Sequence, residues 1–284
     1  MPSRRTFLIA GGAVALGGVA AGLVEARVLP GRGRVHEVLG LTGEDGVAPD
    51  ILPGELLTGS FTSAAVPGVE TGWAVSLPPG YPPDGLPLVL YLHGRGADHR
   101  HAFAAIGLDR FLAAEVAKGA LPFAVAAVDG GESFWHSRPS GNYERLLFEE
   151  LLPRLSILGL QTERIGLLGF SMGGFGALSL AGDNRETVAA VAAVSPAIWR
   201  DFDDVQPGAF DGEGDFAHYD LFARRDELAG LPVRIDCGED DPFAPDVEDY
   251  LEGLPGAEGG MAPGLHTDGF FRRVAPAALA FLAP

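Results

Sequence analysis

The sequence predicts an α/β fold: a mostly parallel central sheet with helices on both faces, preceded by an antiparallel strand pair. Two observations carry that prediction. Short, continuous apolar runs alternate with segments of helical spacing, as expected of strands buried on both faces and of the helices that cover them. One of those runs, Ile165 to Leu168, turns through Gly169-Phe170-Ser171-Met172-Gly173 into the helix-compatible run Phe175 to Ala181. That sets G-x-S-x-G on a strand-to-helix turn. No internal repeat breaks the alternation, and 284 residues suffice for one large domain with a well-buried core.

In chain order, Ser3-Arg-Arg-Thr-Phe-Leu8 leads directly into the apolar, Gly/Ala-rich run Ile9 to Val24, and residues 1–26 resemble a twin-arginine export signal. The run is long enough to span a bilayer if retained, although its glycines weaken a membrane helix. The expected product is exported by the twin-arginine machinery (secreted, periplasmic or in the cell envelope), with cleavage near Ala21 to Ala26, or tethered to the membrane if the signal stays. A lipid anchor is disfavoured, because no cysteine stands there to be acylated. Residues 27–54 are Gly/Pro-rich with little periodicity and read as a linker or a loosely packed N-terminal arm.

Residues 55–284 read as a single α/β domain. Glu55 to Val66 and Glu70 to Leu77 form the antiparallel pair, joined at Pro67-Gly68. Leu86 to Leu92 and Leu121 to Val128 are apolar strands with a helical segment, His101 to Lys118, between them. Tyr143 to Leu158 reads as a helix that Pro153 should kink or interrupt. After the serine turn come the strands Thr187 to Val194 and Leu231 to Cys237, with a helix around Tyr219 to Leu228 between them. The helices Val247 to Leu254 and Arg272 to Leu282 complete the pattern.

A net charge of −18 argues against a nucleic-acid partner, because phosphate recognition needs basic patches and none is present. Asp201-Phe-Asp-Asp204 and Asp246-Val-Glu-Asp249 have the composition of calcium ligands but read as solvated faces, so no metal is expected. Cys237, the single cysteine, lies in an apolar run and reads as a buried structural thiol with no disulfide partner.

The serine turn has a chemical reading. A serine on so sharp a turn sits in strained backbone, and side chains two positions to either side would collide, which Gly169 and Gly173 avoid. Ser171 also falls at a helix N-terminus, where N–H groups and the helix dipole favour developing negative charge. The alternative is a Gly-rich turn whose serine only caps the helix. A nucleophilic serine needs a base within hydrogen-bond reach and an acid to orient that base. Two histidines follow Ser171, and only His266, in the loop Pro263-Gly-Leu-His-Thr, also follows a strong acid candidate. His36, His93, His99, His101, His136 and His218 read as structural or exposed. The acid belongs just after the strand ending at Cys237, where Gly238-Glu-Asp-Asp-Pro242 offers Asp241 first, then Asp240, with Glu239 and Asp236 behind them. An oxyanion needs two preorganised N–H donors. Met172, directly after the serine, supplies one; Arg95 in His93-Gly-Arg-Gly96 supplies the other, on a loop whose glycines let backbone approach the substrate.

Gly59-Ser-Phe-Thr-Ser63, Leu77-Pro-Pro-Gly80, Leu90-Tyr-Leu-His-Gly94, Gly169-Phe-Ser-Met-Gly-Gly174 and the Gly264-Leu-His266 loop together resemble the putative-esterase branch of the α/β-hydrolases. That branch includes esterase D-like enzymes, feruloyl esterases and mycolyltransferases. The likeness runs from Gly59 to the C-terminus, and the serine motif is its most specific part. It implies the α/β-hydrolase fold, a triad of Ser171, Asp241 and His266, and no cofactor. One segment departs from the family: a last strand should precede the histidine loop, and Leu254-Pro-Gly-Ala-Glu-Gly-Gly-Met-Ala-Pro263 is a poor strand.

Phe134-Trp135 and Ile198-Trp199 both follow strand ends, so Trp135 and Trp199 are candidates for the pocket wall as well as for the core; Phe170 and Met172 add apolar surface beside the serine. An apolar acyl or aromatic ester suits such a wall better than a charged or peptide substrate. The expected activity is that of a serine carboxylesterase forming an acyl-enzyme on Ser171, with a small-molecule, lipid or sugar ester as substrate. An acyltransferase of the mycolyltransferase type, passing the acyl group to a sugar hydroxyl, would share the same triad. A non-catalytic exported binding protein would have no use for one.

Overall fold

The computed structural model describes residues 31–284; the segment read as an export signal, residues 1–26, lies outside them. In chain order the main sheet is built from β1 (Leu56–Thr62), β2 (Glu70–Ser76), β3 (Pro87–Leu92), β4 (Ala124–Val128), β5 (Gln161–Phe170), β6 (Val188–Val194), β7 (Val233–Gly238) and β8 (Glu258–Ala262). They lie side by side as β1-β2-β4-β3-β5-β6-β7-β8. β2 runs antiparallel to both β1 and β4, and every neighbouring pair from β4 to β8 is parallel. The antiparallel pair and the mostly parallel sheet are those the sequence predicts.

The apolar runs are continuous because each central strand is covered on both faces. On β3, Leu88, Leu90 and Leu92 enter one core, and Val89 and Tyr91 the other; on β4, Ala124, Ala126 and Val128 part from Val125 and Ala127 in the same way. This is period-two alternation written entirely in apolar residues. The helices are α1 (Arg32–Val38), α2 (Leu108–Ala117), α3 (residues 143–157), α4 (Met172–Asp183), α5 (Glu213–Tyr219), α6 (Ala244–Glu252) and α7 (Asp268–Leu282). Leu147 and Leu151 of α3, Leu178 of α4 and Val247 and Tyr250 of α6 fill the first core. Phe111 and Leu112 of α2 and Phe271, Ala275 and Leu279 of α7 fill the second. Each large apolar side chain so buried contributes about 1.5–3 kcal/mol, which outweighs differences in helix propensity.

Several elements depart from the sequence reading, each for a local reason. Pro153 does not break α3; a π-helical turn over Leu146–Leu151 precedes it and the helix continues to Ile157. A widened turn relieves the clash between the proline ring and the carbonyl four residues back. The segment His101 to Lys118 divides at Gly107, whose φ of 81° separates the π turn Ala102–Ile106 from α2. The helix expected around Tyr219 to Leu228 ends instead at Tyr219. Asp220 leaves the helix and its carboxylate accepts from the Phe222 N–H at 2.9 Å, so only a 3-10 turn, Arg225–Leu228, follows. The glycine-rich segment judged a poor strand is β8, paired in parallel with β7. Gly259 adopts φ 88°, and a Cβ there would strike the Ile235 carbonyl, so the residue that weakens the strand signal is what lets the strand approach its neighbour. Residues 31–54 are docked rather than loosely packed: the Gly46 N–H donates to the Gly269 carbonyl at 2.9 Å, and Arg272 Nε donates to the Gly46 carbonyl at 2.8 Å.

The chain leaves β4 for β5 on the far side of β3, so the C-terminal ends of β3 and β5 form a topological switch point, where open α/β sheets place their ligands. The turn after β5 is tightly determined. Ser171 has φ 56° and ψ −117°, a strained region for a residue with a side chain. Its N–H donates to Val194 O at 3.0 Å, and its carbonyl accepts from Phe175 N and Ala197 N, each at 3.0 Å. A Cβ on Gly169 would overlap the Gly173 carbonyl, and one on Gly173 would overlap the Leu92 carbonyl.

Because both obstacles are backbone, Gly173→Ala should lower stability by about 1–3 kcal/mol or more, measured as the shift of the urea midpoint. Gly214→Ala, at a position in α5 with open space around it, serves as the comparison and should be neutral or slightly stabilising. Equal midpoints for the two variants would contradict the close approach.

Candidate active site

Three strand ends carry the polar cluster: Ser171 between β5 and α4, Asp241 on the turn between β7 and α6, and His266 on the loop between β8 and α7. His266 Nε2 lies 2.9 Å from Ser171 Oγ, and His266 Nδ1 lies 2.7 Å from Asp241 Oδ2. The Asp241 side chain is 0% exposed, and its Oδ1 accepts from the Phe243 N–H at 2.9 Å. With both carboxylate oxygens engaged, Nδ1–H donates to Asp241 and Nε2 faces the serine as an acceptor. The imidazole is held on its faces as well: Phe170 stacks at 5.1 Å between centroids, and Phe243 meets it edge-on at 5.4 Å. The acid and base loops are also joined through backbone, with Glu239 N–H donating to Ala262 O at 2.8 Å and Asp240 N–H to Gly264 O at 2.9 Å.

This geometry separates the acid candidates. Asp241 meets the imidazole. Asp240, one residue earlier, is bound by Arg32 Nη1 at 2.6 Å and His36 Nδ1 at 2.8 Å. Asp236 forms a bidentate pair with Arg234, both contacts at 2.7 Å, and burial pushes its carboxyl above the usual range despite that pair. The Glu239 carbonyl accepts from Arg32 Nη1 at 3.0 Å. His218 packs against Tyr219 in α5, apart from the serine.

On the other side of Ser171 lies the loop after β3. A Cβ on Gly94 would sit 3.4 Å from both Ser171 Cβ and the Phe170 carbonyl, so Gly94 borders the serine, with Arg95 next to it in the chain. Met172 opens α4, and an N–H in the first helical turn has no partner within the helix. His93 fixes this loop. It is fully buried, its Nε2 accepts from the Gly130 N–H at 2.9 Å, and its Nδ1–H donates to the Gly94 carbonyl at 2.8 Å. Burial lowers its pKa, with the Gly94 carbonyl opposing, in keeping with a neutral ring. The Arg95 side chain turns outward, Nε donating to Glu132 at 2.9 Å and Nη1 to Pro207 O at 3.1 Å.

The three aromatic candidates for the pocket wall divide. Phe170, 7% exposed, stacks on His266, His101 and Phe271. Trp199, 6% exposed, packs edge-on against Phe243, the ring that abuts His266. Trp135 is 0% exposed and its indole N–H donates to the His93 carbonyl at 3.2 Å. It supports the loop from beneath and presents no surface to a ligand. A Cβ on Gly130 or Gly176 would strike its side chain, which is why two glycines surround it.

Sequence reasoning missed a second polar line beside the first. Tyr91 O–H donates to His101 Nδ1 at 2.8 Å, and His101 Nε2–H donates to Asp268 Oδ1 at 3.1 Å. The hydrogen bond from His101 holds the Asp268 carboxyl below its ordinary range, and burial raises the Tyr91 phenol well above its own. The available signal was Thr267-Asp268 directly after His266, an N-cap pair; Thr267 Oγ1 accepts from the Phe270 N–H at 3.1 Å. Among the described residues, Asp98, His99 and Asp129 come together in a group that could hold a metal ion. Their donors are already engaged: Asp98 by Arg100, and Asp129 by His99 and by the Gly72 N–H.

A ferulic acid esterase superimposes with TM-score 0.70 at 18% identity, over 81% of this chain and 97% of that one. An S-formylglutathione hydrolase from Agrobacterium tumefaciens gives TM-score 0.66 at 18% identity, over 85% and 100% of the two chains. A ferulic acid esterase from Anaeromyces mucronatus, in complex with ferulic acid, gives 0.64 at 19% identity, over 84% and 96%. These likenesses establish the α/β-hydrolase fold. No curated protein matches the chain in sequence. The family model described as "Putative esterase" matches residues 63–258, well over half of the chain, and the chain belongs to that family, as a hydrolase acting on ester bonds.

Proposed function

We propose that the chain is a serine carboxylesterase that works through an acyl-enzyme on Ser171. The observation that carries this reading is the unbroken line from Ser171 Oγ to His266 Nε2 at 2.9 Å and from His266 Nδ1 to Asp241 Oδ2 at 2.7 Å. As Ser171 Oγ attacks the ester carbonyl carbon, its proton passes to His266 Nε2 and the imidazolium is stabilised by the Asp241 carboxylate. The tetrahedral oxyanion is met by the backbone N–H groups of Met172 and Arg95. His266 then returns the proton to the departing alcohol as the carbon–oxygen bond breaks, leaving the acyl-enzyme. Water reverses the sequence, giving up its proton to His266 and releasing the acid and Ser171.

For the substrate, the rings of Phe170 and Phe243 around His266 support an apolar or aromatic acyl group. The fold shared with esterases described as acting on ferulic acid points the same way. Transfer of the acyl group to an added alcohol is the competing outcome, and the ratio of acid to transfer product separates the two. Export by the twin-arginine machinery is part of the proposal and rests on Arg4-Arg5 and the apolar run after them.

Ser171→Ala should reduce hydrolysis of p-nitrophenyl esters by about four to six orders of magnitude, and wild type alone should be labelled by a fluorophosphonate. Equal rates from the two proteins would exclude Ser171. His266→Ala should lower kcat about as far as Ser171→Ala, because the hydroxyl then has no base within reach; a wild-type rate would remove His266 from the base role. Replacing Arg4 and Arg5 by Lys should hold the chain in the cytoplasmic fraction, and unaltered export would refute the signal.

A further inference from the structure

We infer that the N-terminal arm is a positioning strap for the acid–base pair, with Arg32 as its principal contact. This rests on the esterase reading above and adds a residue to it, more than two hundred positions from Asp241 in sequence.

The arm touches both of the loops that must meet. On the acid side, one guanidinium nitrogen, Arg32 Nη1, donates to Asp240 Oδ1 at 2.6 Å and to the Glu239 carbonyl at 3.0 Å, and His36 Nδ1 donates to Asp240 Oδ2 at 2.8 Å. The Asp240 side chain is 1% exposed. On the base side, Arg273 donates through Nη1 to the Thr42 and Glu44 carbonyls at 3.3 and 3.0 Å, and through Nη2 to the Pro263 carbonyl. Between the two sides sits Gly33. A Cβ there would lie 2.9 Å from Leu265 Cδ2 and 3.2 Å from the Asp240 carbonyl, so the helix is seated where the acid loop and the histidine loop converge.

The consequence follows from the cost of a buried charge. A carboxylate so enclosed is stable only while it is paired; removing one partner favours movement of the group toward water. Asp240 cannot move without its neighbour. Asp241 is the next residue, and its own bond to His266 tolerates little displacement, since a misplacement near 1 Å can cost about a hundredfold in rate. Arg32 thus acts on the imidazole through Asp240 and the loop, and touches no reacting atom.

The test compares Arg32→Met with Arg34→Met, an equal change of charge at an exposed position of the same helix. Arg32→Met should lower kcat by about ten- to a hundredfold with KM within about twofold of wild type, and Arg34→Met should match wild type. Arg32→Lys should recover most of the rate, because both bonds come from a single nitrogen that an ammonium can replace. Full kcat in Arg32→Met, or an equal loss in Arg34→Met, overturns the strap. If Arg32→Met does not fold, His36→Phe, a ring of similar size with no donor for Oδ2, carries the same comparison. If the wild-type chain hydrolyses no ester, the esterase reading fails, and amide hydrogen exchange then decides the strap. Faster exchange at residues 238–241 and 263–267 in Arg32→Met but not in Arg34→Met supports it, and equal exchange refutes it.

Discussion

In the proposed esterase, the chemistry of Ser171 depends on the hydrogen bond between His266 Nδ1 and Asp241 Oδ2. It fixes which ring nitrogen carries the proton, and so leaves Nε2 as the acceptor that the serine hydroxyl requires. Asp241 can hold this role because its other oxygen is occupied by the Phe243 N–H and its side chain is closed off from water. A solvated carboxylate would orient the ring far less firmly, since water would compete for both of its oxygens.

Bringing that bond up to Ser171 places strain on the backbone. Among the described residues, the non-glycine positions with positive φ are Phe134, Trp135, Ser171 and Ser195. All four follow the C-terminal ends of the central strands β4, β5 and β6. Strain of this kind persists only where the surroundings over-determine it. Here the surroundings are visible: Trp135 N–H donates to Ser133 Oγ, its ring fills the space left by Gly130 and Gly176, and Ser195 N–H donates to the Asp236 carbonyl at 2.7 Å. The buried neutral His93 extends the same logic to the loop that carries Arg95, using both ring nitrogens to fix backbone.

The acid and base segments share a second device. Each carries a further carboxylate close to its functional residue: Asp240 beside Asp241, and Asp268 two residues after His266. Neither is spare charge. Asp240 is taken up by Arg32 and His36 of the arm, and Asp268 by His101, which Tyr91 orients in turn. These pairings anchor the two loops and keep the extra carboxylates from competing for the imidazole of His266. Phe170 stacks on the rings of both His101 and His266, so one aromatic side chain touches both polar lines.

By itself the sequence determined the strand–helix alternation and the elbow at Ser171, and it singled out His266 as the histidine to meet that serine, because these are local patterns: apolar period, glycine placement and chain order. It ranked Asp241 above Asp240 but could not separate two adjacent carboxylates by pattern. That choice depends on which one faces His266 and which one a segment from the other end of the chain neutralises. The same limit explains the glycine-rich strand β8, where propensity argues against a strand and close approach to Ile235 requires one. It also explains Trp135, whose place after a strand end fits wall and core equally until His93 and the flanking glycines bury it. Local chemistry is written in neighbouring residues, whereas burial and long-range pairing exist only once distant segments are packed together; the arm over Asp240 is a tertiary fact with no local signature.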